Sequence, residues 1–113
     1  MEISATDLDD QMAGKVLVDI RRPEEWRSIG VIAGSHQLTF FDAAGNADPV
    51  FWLAELEKIA NPEDDLVLIC HSDYRTRVIL KYLQSQTLYK NARYLAGGIL
   101  DWLDKGLPVH DVA

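Results

Sequence analysis

The chain has 113 residues, with 18 acidic against 11 basic side chains and a formal net charge of −7, a balance that argues against non-specific binding to nucleic acid or to an anionic membrane surface. A single cysteine excludes an internal disulfide, so the fold must rest on its hydrophobic core. No apolar stretch approaches the roughly 20 residues of a membrane span, and no basic segment leads into an apolar run at the start, so the expectation is one soluble, cytoplasmic domain over residues 1–113.

Taken in order, Glu2-Ile3-Ser4 reads as a short edge strand, and Thr6-Asp7-Leu8-Asp9 has the form of a capping box. Leu8 and Met12 then lie one turn apart on a short helix that stops at Gly14. Val16-Leu17-Val18-Asp19-Ile20 and Leu66-Val67-Leu68-Ile69 are apolar runs that suit strands covered on both faces, as in a parallel sheet. Each leads to a residue of a different chemistry, Asp19 in one and Cys70 in the other. Ligands of open parallel sheets bind beyond the carboxyl ends of the strands, which predicts that Asp19 and Cys70 are near neighbours at one edge.

Pro23-Glu24-Glu25-Trp26 reads as a first helical turn, with proline early and acids at the positive end of the helix dipole; Gly30 and Gly34 break it. His36 to Phe40 has the character of a strand, and Asp42 to Ala47 that of a surface turn. Asp48-Pro49 opens the next helix as N-cap and first residue, with an apolar stripe of Trp52, Leu53, Leu56, Ile59 and Ala60 ended by Asn61-Pro62. Glu63-Asp64-Asp65 reads as a solvated turn rather than a metal site.

Beyond Cys70, residues Val78, Ile79, Tyr82 and Leu83 predict the buried face of a helix ending near Gln86, and Ala92 to Leu95 a short strand. Gly97-Gly98 allows a tight turn into a last helical stripe of Ile99, Trp102 and Leu103, closed by Gly106 and Pro108. Strand and helix alternate throughout, which predicts a single α/β layer stack with right-handed crossovers.

The segment Leu66 to Thr76 is therefore strand, tight loop, helix. A sulfur at Cys70 meets successive backbone N–H groups and the positive end of a helix, which favours thiolate over thiol. Taken alone, a lone cysteine ending an apolar strand is more often a small buried hydrophobe than a nucleophile. Its company reverses that reading. Asp19-Ile-Arg21-Arg-Pro23-Glu-Glu25-Trp26 with the Gly30 to Ser35 turn, the loop Cys70-His71-Ser72-Asp73-Tyr74-Arg75 with Thr76, and Leu95-Ala-Gly97-Gly98-Ile-Leu-Asp-Trp102 through Gly106-Leu-Pro108-Val109 occur in that order. Together these three blocks resemble the single-domain rhodanese (thiosulfate sulfurtransferase-like) family from about Ile3 to Val109.

The resemblance implies a three-layer α/β/α fold around a mostly parallel sheet of about five strands. It implies a sulfurtransferase in which Cys70 takes a sulfane sulfur from a small donor, as a persulfide, and yields it to a thiol or cyanide-like acceptor, with a protein acceptor as a further partner class. Neither cofactor nor metal is expected. Cys70 is the expected catalytic residue, His71, Ser72, Asp73, Tyr74, Arg75 and Thr76 form the expected substrate-binding loop, and Asp19 and Arg21 brace it from beneath. The fork of Arg75 suits sulfonate-like oxygens, and Tyr74 is expected to shape the pocket mouth.

Two departures stand out. Asp73 occupies the place where the family usually has glycine; aspartate tolerates a left-handed backbone, but its carboxylate brings negative charge toward a site that receives anions, which argues against thiosulfate as the physiological donor. The turn before Gly30 is longer by one residue. Two other classes compete with the sulfurtransferase. Cysteine-dependent phosphatases and arsenate reductases resemble it but separate Cys from Arg by five residues, whereas Cys70 and Arg75 are separated by four. A carrier or binding module would keep the loop and dispense with broad turnover.

Overall fold

The computed structural model describes residues 1–112. Strands β1 (Glu2–Ile3), β2 (Lys15–Asp19), β3 (His36–Gln37), β4 (Asp65–Ile69) and β5 (Arg93–Leu95) form one sheet in the order β1-β5-β4-β2-β3, with every pairing parallel. Helices α1 (Ala5–Asp10), α2 (Pro23–Ile29), α3 (Pro49–Leu56) and α4 (Tyr74–Gln86) supply the connections, and α5 (Gly98–Asp104) follows β5. Among the described residues no helix is long and apolar enough to cross a membrane.

Successive side chains of a strand point to opposite faces, so a strand apolar at every position must be covered twice. That is how the two long runs are used. Val18, Ile20, Leu66 and Leu68 pack with Trp52 and Leu56 of α3 and with Ile79, Leu80 and Leu83 of α4. Leu17, Val67 and Ile69 face the other way, onto Leu8 of α1 and Ile99 and Trp102 of α5. Three layers follow, and each fully buried aliphatic side chain stabilises them by about 1.5–3 kcal/mol.

Several local expectations shift. The first helix is capped by Ser4, whose Oγ accepts the Asp7 N–H at 3.1 Å, two residues before the predicted box. The third ends at Leu56, although Ala60 in the following turn is still buried. Asp65 is no solvated turn residue: it opens β4 and pairs with Lys15 at 3.1 Å and Arg93 at 2.9 Å. α4 begins at Tyr74, and Thr76, Ile79, Leu80 and Leu83, at helical spacing, form its buried face, which leaves Val78 45% exposed. Trp102 is buried as expected, whereas Trp26 on α2 is only partly so.

Candidate active site

The connections diverge between β2 and β4, since β2 leads through α2 to one edge of the sheet and β4 leads through α4 toward the other. A crevice forms beyond the carboxyl ends of two strands at such a point. Asp19 lies opposite Ile69 in the ladder, so the residues that end the two apolar runs do meet at one edge.

Cys70 is only 1% exposed. The Asp73 N–H donates to its Sγ at 3.2 Å, and Thr76 Oγ1 lies 3.6 Å away. The Thr76 hydroxyl donates to the Asp73 carbonyl at 3.0 Å, leaving its oxygen free to accept an S–H. For a thiolate the same rotor turns its proton to sulfur. Tyr74, Arg75 and Thr76, expected in the loop, form the first turn of α4, which brings the helix start directly onto the sulfur.

Asp73, at φ 105° and ψ −4°, takes the left-handed region that its loop position requires. Its carboxylate is not free: Oδ2 accepts the Gly97 N–H at 2.8 Å and Oδ1 pairs with Arg77 at 3.1 Å. Ser72 and Tyr74 are exposed, and Tyr74 lines a depression of about 280 Å³ with Arg22, Phe41, Arg75 and Val78. His71 is half-buried, and its Nδ1 is buried without a hydrogen-bond partner among the described residues.

The β5–α5 turn supports the loop from behind. Ile99 and Leu100 donate their N–H groups to the carbonyls of Cys70 and His71 at 2.9 and 3.1 Å. Gly98 makes this approach possible: a Cβ there would stand 2.5 Å from the His71 oxygen and 2.6 Å from that of Cys70.

Arg75 has a partner that sequence reasoning missed. Its guanidinium forks onto Glu25 of α2, with contacts of 2.8 and 2.7 Å, and Glu25 also accepts the Arg22 N–H at 3.1 Å. The acids were legible as a helix start, but nothing local links positions fifty residues apart. The bonds from Arg75 hold the Glu25 carboxyl well down, from the usual 4.5 to about 2, against the effect of burial and with help from the Arg22 N–H. A carboxyl lowered by folding stabilises fully above its unfolded value and loses that contribution as pH falls through its folded one. Glu25→Gln is therefore expected to cost about 1–2 kcal/mol near neutral pH, after allowance for solvent screening. Urea unfolding of parent and variant should show the gap closing as pH falls from about 4.5 to about 2.

Asp19 and Arg21 form a fully buried pair. Arg21 Nη2 lies 2.7 Å from Asp19 Oδ2, Nε and the backbone N–H add 3.0 and 3.1 Å bonds to Oδ1, and Nη2 also reaches the Gly30 carbonyl at 2.7 Å. The pair thus ties the end of β2 to the end of α2, one step behind the Arg75–Glu25 contact, and its hydrogen bonds do not reach the cysteine loop.

A parallel α/β sheet that presents a buried cysteine to a helix start at its switch point defines a class of cysteine-loop domains. The model of the rhodanese-like domain matches residues 4–105, and the chain belongs to that family. Among solved structures it is similar to a rhodanese-related protein from Thermoplasma volcanium, 27% identical over 96% of both chains with a TM-score of 0.75. It is also similar to a protein of unknown function from Rhodopseudomonas palustris, described as a possible tyrosine phosphatase, at 26% identity over 96% of this chain and 83% of that one (TM-score 0.70). A rhodanese-like domain protein from Staphylococcus aureus, 20% identical over 98% of this chain and all of that one (TM-score 0.71), shares the fold. No curated protein matches significantly.

Proposed function

We propose that this protein is a sulfurtransferase that carries sulfane sulfur as a persulfide on Cys70. The supporting observation is a cysteine sulfur held by a backbone N–H at 3.2 Å and a hydroxyl at 3.6 Å, at the start of a helix, in a family that includes sulfurtransferases. In the first step the Cys70 thiolate attacks the outer sulfur of the donor. The donor's S–S bond breaks, and its electron pair leaves with sulfite or an organic thiolate. An acceptor thiolate or cyanide then attacks the terminal sulfur, the persulfide bond breaks, and the Cys70 thiolate returns. No external oxidant or reductant is consumed.

The Asp73 N–H and the Thr76 hydroxyl are the groups that stabilise negative charge on sulfur in this scheme. Arg75 binds the anionic end of the donor only by sharing its guanidinium with Glu25. The depression beside it, with Tyr74, Phe41 and Val78, receives the body of an organic donor or the tip of a protein acceptor.

A phosphatase reading draws on the description of the Rhodopseudomonas palustris protein. The four-residue spacing from Cys70 to Arg75 speaks against it. Turnover of a phosphate ester, lost in Cys70→Ala, would revive it.

The experiment is the intact mass of the protein after thiosulfate treatment without reductant, beside Cys70→Ala. The parent alone is expected to gain one sulfur, which cyanide removes. If thiosulfate loads nothing, an organic persulfide takes its place as donor. Failure with both overturns the proposal and leaves a binding module.

A further inference from the structure

Asp73 is the only non-glycine residue at positive φ among the described residues, at 105°. A side chain there is strained by about 1–3 kcal/mol, and such a conformation persists only where the surroundings over-determine it. Here they do. The Asp73 N–H is on the sulfur, and its carbonyl accepts both the Thr76 hydroxyl at 3.0 Å and the Arg77 N–H at 3.1 Å. Its two carboxylate oxygens are divided between the Gly97 N–H and Arg77.

The Gly97 contact matters most. Gly97-Gly98 is the same turn whose following N–H groups, of Ile99 and Leu100, hold the Cys70 and His71 carbonyls. The near end of the loop is thus fastened to that turn through its backbone. The far end is fastened to it through one carboxylate.

We infer that Asp73 is a positioning residue: its carboxylate, bound to the Gly97 N–H, clamps the loop so that the Asp73 N–H stays on Cys70 Sγ. This chain replaces the conformational freedom of glycine with a side-chain tether. The carboxylate is bound by the Gly97 N–H and paired with Arg77, so its negative charge is compensated. The inference deepens the persulfide reading but does not need it, because the clamp acts on the free thiol.

Two roles for the carboxylate predict different orders of reactivity. Acting by charge alone it would disfavour the thiolate, and Asp73→Asn and Asp73→Gly would raise reactivity equally. Acting as a clamp it favours the thiolate through the N–H it positions. Asp73→Asn then keeps an acceptor for the Gly97 N–H, and Asp73→Gly keeps none. Glycine relieves the backbone strain, so failure to fold does not confuse the comparison. The other groups around the sulfur keep their identity in both variants: Arg75 with Glu25, Asp19 with Arg21, half-buried His71 and Tyr94 of β5, and Arg77, which loses its carboxylate partner in both.

The test is the rate of Cys70 alkylation by iodoacetamide from about pH 5 to pH 9, a range that spans ordinary thiol titration. Each curve being scaled to its own alkaline plateau, the glycine variant is expected to react about tenfold more slowly at neutral pH than the asparagine variant, with its midpoint at higher pH. Asparagine at or above the parent completes the expected pattern. Coincident midpoints for the two variants, or a lower midpoint for glycine, overturn the clamp; a change in exposure of the buried sulfur rescales the whole curve and leaves its midpoint in place. Because alkylation needs no sulfur donor, failure of the clamp is read separately from failure of sulfur loading.

Discussion

Arg21→Met is expected to lower the free energy of unfolding by about 3–5 kcal/mol, because it leaves the Asp19 carboxylate buried with its counter-charge gone. Both side chains are fully buried, with their charged atoms 2.7 Å apart. A net stability of about 5–15 kcal/mol makes this a large fraction of the total. The Asp19→Leu, Arg21→Met double variant is expected to lose less than the single one, since it removes the charge together with its partner. Urea denaturation of the three proteins measures the difference. A single variant within about 1 kcal/mol of the parent would mean that the pair contributes little.

Gly98→Ala is expected to damage the site more than any other single methyl group. The added carbon would meet two backbone carbonyl oxygens and the His71 carbonyl carbon at 2.5–2.6 Å, and φ is +61°. Neither obstacle is a flexible side chain. The loop must move off α5, breaking the hydrogen bonds from Ile99 and Leu100, at a cost of about 2–4 kcal/mol in overpacking and backbone strain. Under the proposed sulfurtransferase function, persulfide loading is expected to fall at least about tenfold while the protein remains folded, which thermal melts and intact mass measure side by side. Full loading with a lowered melting temperature would separate the turn's support of the fold from its support of the loop.

Much of this arrangement was legible in the chain. The unbroken apolar runs at β2 and β4 required two covering layers, and the residues ending them were bound to meet where the connections diverge. The glycine usual at position 73 in the family implied a left-handed turn, which aspartate tolerates and adopts here. What stayed hidden is what local pattern does not encode. Glu25 reads as a helix-start acid until α2 and α4 are brought together across the crevice, and only then does it become the partner of Arg75. The Asp73 carboxylate likewise read as free charge until Gly97 supplied an N–H from a distant turn. Val78 was misplaced because the buried stripe runs through Thr76, Ile79, Leu80 and Leu83, and Val78 stands one residue round the helix from it.

The dependence of the cysteine loop on α5 also sets an order of events in biosynthesis. β2 and β4 can pair once the first seventy or so residues have left the ribosome, but Gly97, Ile99 and Leu100 follow well after Cys70, and β1 cannot find β5 before then. A nascent chain therefore carries its thiol before it carries the turn that fastens the loop around it. Loop and fold mature together, and a partly made chain lacks the turn that fastens the Cys70 and His71 carbonyls.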